Sequence, residues 1–367
     1  MKNSLTFHNG KIRILQVSDP QDLRYVRPAM VKMLDRAYDT LDADAVIFTG
    51  DNILGNHLLD ARFGSRKVAE GEGPTLISMR AALSHILEPV NSRGIPFAMI
   101  YGNHDDMNLI TKEKQIEIYR SYNMCMDLNK DNPGVDCDTY TVELKNGEGE
   151  TKYCLYMLDS AWQDNDGERK CHTEVTKATV DWLRKELERN KDIPSMAFLH
   201  IPLPEQNMLT EECSADEGIR FRDGKYRRLK ENVSGYMFEP PCVLEESNGL
   251  FEVLKEGGVG AVVTGHDHTN CFIGTYEGVD FIQTGCASFR CYGDKRTRGI
   301  RVFDIYEDGR YETKFLTYFD ICGDTVGTHI CNFLDADEWE KPKFALLGLT
   351  AVLAAAGTAK YIVKKIK

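Results

Sequence analysis

Five short runs of apolar and β-branched residues recur along the chain, at 12–17, 45–49, 97–101, 195–199 and 259–264, and each leads directly into a polar cluster. Runs of this length, bounded by Gly, Asp and Asn, predict strands buried on both faces. Between them the apolar spacing becomes helical, at 28–41, 75–91, 176–190 and 248–256. A further strand is expected at 152–159, and strands at 280–284, 301–305 and 311–319 should close the domain as hairpins. Strands and helices alternate in two halves, which predicts an α/β architecture of packed mixed sheets flanked by helices.

Residues 55–73, 127–138 and 206–242 fit none of these patterns and are expected to be loops. Loops longer than about 15 residues within a compact domain are usually functional. The segment 206–242 separates two of the polar clusters, so it is expected to shape a substrate pocket, with a solvated surface excursion as the equal alternative. The organisation predicted is one domain over 1–334, an acidic connector at 335–343 and an apolar C-terminal helix at 344–367.

The polar clusters are Ser18-Asp19-Pro20-Gln21, Gly50-Asp51-Asn52, Gly102-Asn103-His104-Asp105, His200 and Gly265-His266-Asp267-His268. Open α/β sheets bind ligands at the carboxyl ends of their strands, so five clusters at five strand ends can meet in one crevice. The donors are oxygens and imidazole nitrogens without a thiolate, a set suited to Mn, Fe or Zn. Asp51 can bridge two ions through its two oxygens, and His266 and His268, two apart in extended chain, point the same way. Two ions about 3.5–4 Å apart would hold a hydroxide and clamp the oxygens of an in-line displacement at phosphorus. Singly, Gly50-Asp51 is also an ordinary turn signal, the 102–105 cluster also a helix cap, and His200 also a core histidine. The ordered set is what points to a two-metal hydrolytic site.

In that order the motifs resemble those of the calcineurin-like metallophosphoesterase superfamily: D-x-H, G-D, G-N-H-D/E, a lone His and G-H-x-H. The resemblance runs over about 13–319, and the text at 248–250 and around Gly285 is most similar to the branch likened to purple acid phosphatases. It implies a four-layer α/β/β/α sandwich and a dinuclear phosphoesterase. It places Asp19, Asp51, His268 and position 21 on one ion, and Asp51, Asn103, His200 and His266 on the other. Asn103 and His104 would meet the substrate, with His104 assisting the leaving oxygen. Two positions depart from the pattern. Gln21 stands where the motif has His, which offers a neutral amide oxygen, with Asp22 beside it as a substitute. Leu54 stands where purple enzymes carry tyrosine and protein phosphatases an aspartate, so neither the purple colour nor that protein phosphatase chemistry is expected. Arg290 is a candidate for substrate phosphate, His57 and His172 for the pocket wall, and Asp159 and Ser160 for supporting the ligands.

The expected activity is phosphomonoester hydrolysis of a phosphorylated small molecule. A cyclic-nucleotide or other phosphodiesterase is the alternative, and a catalytically degenerate, membrane-anchored metal- or phosphate-binding protein is the alternative of another class. The formal net charge of −12 argues against general binding to nucleic acid or to anionic membrane. Eleven cysteines without zinc-finger spacing, after a polar N-terminus, suggest reduced thiols in the cytoplasm. The tail changes that picture. Residues 344–359 carry no charge and lie between Lys341 and Lys343 on one side and Lys360, Lys364, Lys365 and Lys367 on the other. A bilayer core takes about 20 apolar residues. The stretch reaches that length only with Lys360 snorkelling and 361–363 included. A spanning or interfacial C-terminal anchor is therefore expected, with a small-residue helix docked on the domain as the alternative. Lysines on both sides leave its orientation open.

Overall fold

The computed structural model describes residues 3–55, 71–105, 107–128, 135–160, 175–339, 342–343, 345–354 and 358. In chain order the elements are β1 (Ser4–Thr6), β2 (Lys11–Val17), α1 (Pro28–Thr40), β3 (Ala45–Thr49), α2 (Glu72–Ser92), β4 (Phe97–Ile100) and α3 (Lys112–Arg120). There follow β5 (Tyr140–Lys145), β6 (Thr151–Met157), α4 (Lys177–Arg189), β7 (Ser195–Phe198), β8 (Thr210–Glu212), β9 (Ile219–Arg220), β10 (Tyr226–Leu229), β11 (Ser234–Met237) and α5 (Leu250–Glu256). The chain continues with β12 (Val259–Thr264), β13 (Asn270–Tyr276), β14 (Val279–Gln283), β15 (Gly299–Tyr306), β16 (Tyr311–Thr317), α6 (Tyr318–Cys322) and α7 (Val326–Asp335).

Two large sheets carry the molecule. One has the order β16-β15-β2-β3-β4, the other β1-β5-β6-β7-β12-β14-β13-β11. The pairs β2–β3, β3–β4, β6–β7, β7–β12 and β12–β14 are parallel, so the strands that precede the polar clusters run the same way within each sheet.

Alternation along the strands builds the layers. Leu155, Met157, Met196, Phe198, Val263 and Ile282 join the core shared with β2, β3, β4 and β15. Their neighbours Tyr156, Leu158, Ala197, Val262 and Phe281 face the other way, into a second core with Leu183 and Leu187 of α4 and Leu250 and Leu254 of α5. Phe198 meets Phe303 edge to face across the sheets, with ring centres 6.0 Å apart. On the far side, Met30, Met33, Leu34 and Ala37 form the buried stripe of α1, spaced as one helix face, and Pro28 presets the first turn. The expected four-layer α/β/β/α sandwich is the fold.

Three local expectations are corrected, and one element is added. Residues 206–242 are not one loop. They form a small antiparallel sheet, β8-β10-β9, and β11 adds to the edge of the eight-stranded sheet beside β13. The strand expected over 311–319 stops at Thr317, where a reciprocal cap, with the Thr317 hydroxyl accepting from the Asp320 amide and the Asp320 carboxylate from the Thr317 amide, starts α6. The strand near 280–284 does not pair with the last two. It lies parallel to β12 and hairpins with β13. The added element is α3, whose charged sequence hides a buried side of Ile116 and Tyr119.

The tail is helical at 342–343, 345–354 and 358. No helix among the described residues is long and apolar enough to cross a membrane, and the extension to 363 that a span required lies outside them. Every cysteine among the described residues is a free thiol.

Candidate metal centre

The five clusters are joined first by backbone hydrogen bonds. The Asp19 amide donates to the Gly50 carbonyl at 3.2 Å, Gln21 to Asp51 at 2.9 Å, and Gly265 to His200 at 3.1 Å. Ala287 and Ser288, after β14, donate to the carbonyls of Ser18 and Asp19 at 2.7 and 3.1 Å. Glycine is required where these loops touch: a Cβ on Gly102 would run into the Asp51 amide and carboxylate, and Gly50 sits at φ +89° against the His200 ring. Asp19, Gln21, Asp51 and His266 also hold positive φ, at 48°, 30°, 48° and 72°. Such conformations cost of order 1–3 kcal/mol each and persist where surrounding structure imposes them, commonly at functional sites.

Asp51 is the shared centre. One of its oxygens, Oδ1, accepts from the His104 amide at 2.8 Å and lies 3.3 Å from His200 Nε2. The other, Oδ2, accepts from Gln21 Nε2 at 3.0 Å. Two groups around it could hold an ion: Asp51 with His200 and His266, and Asp51 with Asp19 and His268, the ligand atoms of each group lying within 4.8 Å of one another. Asn103 Oδ1 joins the first group, 3.1 Å from His200 Nε2. His200 and His266 cross edge to face, with ring centres 5.1 Å apart.

Both buried histidines are oriented alike. Nδ1 of His200 faces the Thr49 carbonyl at 2.9 Å, and Nδ1 of His268 faces that of Tyr292 at 2.9 Å. A proton on each Nδ1 leaves the Nε2 lone pair for the centre, the arrangement that fixes metal-binding imidazoles. Tyr292 also stacks on His268, 4.4 Å away at 8°.

The charges explain what such a cluster needs. Burial alone would raise Asp51, yet the imidazoles of His200, His104 and His266 hold it well below the usual carboxylate range. Burial opposes charge on His200, but Asp51 and Asp19 push it up to about 9. Asp105 is lifted to about 8 by burial and by the charge of Asp51. Packed carboxylates of this kind are balanced by cations. The buried oxygens Asp19 Oδ1 and Gln21 Oε1 have no hydrogen-bond partner among the described residues, and neither does His104 Nδ1. Unpartnered oxygens beside a shared carboxylate, with imidazole nitrogens and no thiolate, fit two divalent or trivalent ions.

Residues other than the expected ligands complete the frame. Ser160 Oγ accepts from the amides of His200 and Ile201 at 3.0 and 2.9 Å, the supporting position expected of it, while Asp159 is paired with Lys112. Asp105, weighed from sequence only as a cap, accepts from Gly102 at 2.7 Å and from the amides of Asn52 and Ile53 at 3.1 and 3.2 Å, tying two motif loops together. Its signal was already present in the fourth place of G-N-H-D. Asp267 accepts from Cys242 at the end of the 206–242 insert, at 3.0 Å. Glu239 of the same insert accepts from Thr269 at 2.8 Å and from the Tyr292 hydroxyl at 3.0 Å. The insert therefore reaches the rim of the centre.

Asp22 does not substitute for the missing histidine. Its oxygens accept from the Leu23 and Arg27 amides, each at 2.7 Å, and from Arg290 Nε. Arg290 spends a second nitrogen on the Tyr25 carbonyl. His57 and His172 lie outside the described residues.

With this geometry the chain takes its place among known proteins. It belongs to the calcineurin-like phosphoesterase family, whose model matches residues 12–270, a family of hydrolases acting on phosphoric ester bonds. The fold implies a dinuclear metal centre. Among relatives, probable inactive purple acid phosphatase 14 of Arabidopsis thaliana is 25% identical over 337 residues, covering 81% of this chain and 75% of that protein. Probable inactive purple acid phosphatase 28 of the same plant is 24% identical over 286 residues, covering 71% of this chain and 62% of that one. Among solved structures, a dimetal phosphatase from Danio rerio superimposes with TM-score 0.52 at 13% identity, covering 84% of this chain and 96% of its own. GAP50, described as the anchor in the inner membrane complex of Plasmodium, superimposes with TM-score 0.50 at 14% identity over 87% of each chain. The two structural likenesses are likenesses of fold.

Proposed function

We propose that the chain hydrolyses a phosphomonoester at a dinuclear centre in which Asp51 is common to both ions. The observation that carries the reading is the Asp51 carboxylate itself, shared by two ligand groups that otherwise use different residues. Asp19, His268 and the Gln21 amide oxygen would complete one side, and Asn103, His200 and His266 the other. When bound, the ions would supply positive charge opposite the phosphoryl oxygens and acidify the attacking water.

The chain's own groups do the rest. His104 is anchored through its amide to Asp51 Oδ1, at 2.8 Å, and its Nδ1 meets no protein acceptor among the described residues. Its ring is the group that gives a proton to the departing ester oxygen, a role usually worth about 10²- to 10⁴-fold in rate. Asn103 turns its oxygen toward His200, which fixes the amide beside the incoming phosphate. The carbonyls of Thr49 and Tyr292 keep the two imidazoles from turning.

A second reading, a metal- or phosphate-binding protein without turnover, is favoured by one contact. The Gln21 amide donates to Asp51 Oδ2, where the family motif places an imidazole. Elemental analysis of the purified full chain, with hydrolysis of p-nitrophenyl phosphate and bis-p-nitrophenyl phosphate after reconstitution with Mn, Fe or Zn, separates the readings. About two ions per chain and a preference for the monoester is the expected result. Faster cleavage of the diester would move the substrate to the phosphodiester class. One ion or none, with neither ester cleaved, would overturn the enzyme reading.

A further inference from the structure

Helix α7 buries Thr328 and Asn332 against the domain, half-buries Phe333, and turns Val326, Ile330 and Leu334 outward. Val326, Ile330 and Leu334, four apart, are 77%, 53% and 58% exposed, a continuous stripe along one helix face. The inversion is unusual, because a helix of a folded domain normally buries such a stripe.

The stripe does not end with the helix. Lys343 Nζ donates to the carbonyls of Leu334 and Ala336, at 2.6 and 3.2 Å, and so sets the start of the tail helix at the end of α7. Residues 345–354 are then helical and exposed on every side, with Leu347, Val352 and Leu353 each more than 60% exposed. A helix apolar around its whole circumference is stable only within an apolar medium or a core. The sequence beyond it concentrates Lys360, Lys364, Lys365 and Lys367 in an otherwise acidic chain. Apolar surface followed by clustered lysines matches a bilayer surface with anionic headgroups, where each cation near the surface adds about 1 kcal/mol.

We propose that the outward stripe of α7 and the tail helix form one docking face for a lipid bilayer, so that the domain lies on the membrane instead of trailing from a flexible tether. The end of α7 is fixed to the rim of the metal centre. Asp335 accepts from the Ala29 amide at 2.6 Å, at the start of the helix that follows the Asp19 loop. The Asp337 amide donates to Phe289 at 3.1 Å, and Glu338 pairs with Arg298, on the loop that carries Tyr292. Docking would therefore hold the centre close to the lipid surface. The consequence that its ester is carried on that surface rests on the function proposed above, whereas docking itself does not.

The test is flotation of the full chain with vesicles of phosphatidylcholine, alone or mixed with phosphatidylserine, which reads binding without any turnover. The full chain should float, more strongly with phosphatidylserine. A Val326→Ser/Ile330→Ser/Leu334→Ser variant, altered only at exposed positions and so expected to keep its Tm, should partition at least tenfold less, as burial of three apolar side chains requires. A companion Leu347→Ser/Val352→Ser/Leu353→Ser variant should also lose binding. If the α7 variant floats like the parent while the tail variant does not, the tail is a tether and the proposal fails. It fails equally if the full chain ignores vesicles and instead self-associates in solution through the stripe.

Discussion

The two halves of the metal centre share Asp51 and differ in everything else that surrounds it. On the His200 side, the ring is held by the Thr49 carbonyl, its amide and that of Ile201 by the Ser160 hydroxyl, and Asn103 stands at its Nε2. On the other side His268 is held by the Tyr292 carbonyl and ring, but position 21 presents an amide whose N–H is spent on Asp51 Oδ2. One half has the family's full set of residue types, and the other carries an amide side chain where the family motif has an imidazole. A dinuclear site can therefore be graded by half: the chemistry of the shared carboxylate is common, while affinity is set separately on each side by what orients and completes the ligands.

Removing the shared group should abolish the difference altogether. In Asp51→Asn the anionic bridge is lost while the volume is kept. Both ions should leave, and turnover should fall by more than the roughly 10²- to 10³-fold typical of removing one transition-state donor. Elemental analysis and p-nitrophenyl phosphate hydrolysis check it, and an enzyme still holding two ions would contradict the sharing.

His104→Ala should leave both halves loaded and slow turnover by about 10²- to 10⁴-fold. The side chain lies on neither ligand group, and only its amide touches Asp51. Loss of metal together with activity would make His104 a ligand and not a proton donor.

Gln21→His sharpens the comparison by restoring the family residue on the weaker side. Affinity there should rise by about 10- to 100-fold, and the His200 side should not move. Competition titrations with a chelator resolve the two steps. If neither step shifts, Gln21 holds no ion and its contact with Asp51 is structural.

Much of this was legible in the chain. The strand ends and the order of the clusters follow from apolar runs that break at Gly, Asp and His, while the division of the ligands into two groups came from the family resemblance. The insert was not legible, because β8, β9 and β10 are short and polar, and their pairing with one another depends on partners up to 19 residues away. Nor were the positive φ angles of Asp19, Gln21 and Asp51, which arise where loops are pressed together and not from local preference. The engagement of Asp22 is hidden in the sequence for a related reason. Adjacency to Gln21 suggested a ligand, but Arg290, 268 residues away, takes its carboxylate. Sequence shows donor types in order, and the third dimension decides which donors are already engaged.

The smallest expected effect isolates the support of one half alone. Ser160 is buried, and its hydroxyl accepts from two amides that have no other acceptor described, His200 and Ile201. Ser160→Ala leaves both donors unsatisfied, which costs about 1–3 kcal/mol for a buried group. In a chain of this size that is a fall in Tm of roughly 1–2 °C per kcal/mol. Because those amides fix the backbone that carries His200, the ion on that side should also weaken by about 10-fold, within the range seen when ligand-orienting groups are removed. The His268 side, held through Tyr292 on a different loop, should keep its affinity. A chelator titration of Ser160→Ala in which both steps weaken together would show that the two halves are coupled through Asp51 more strongly than they are set by their separate supports.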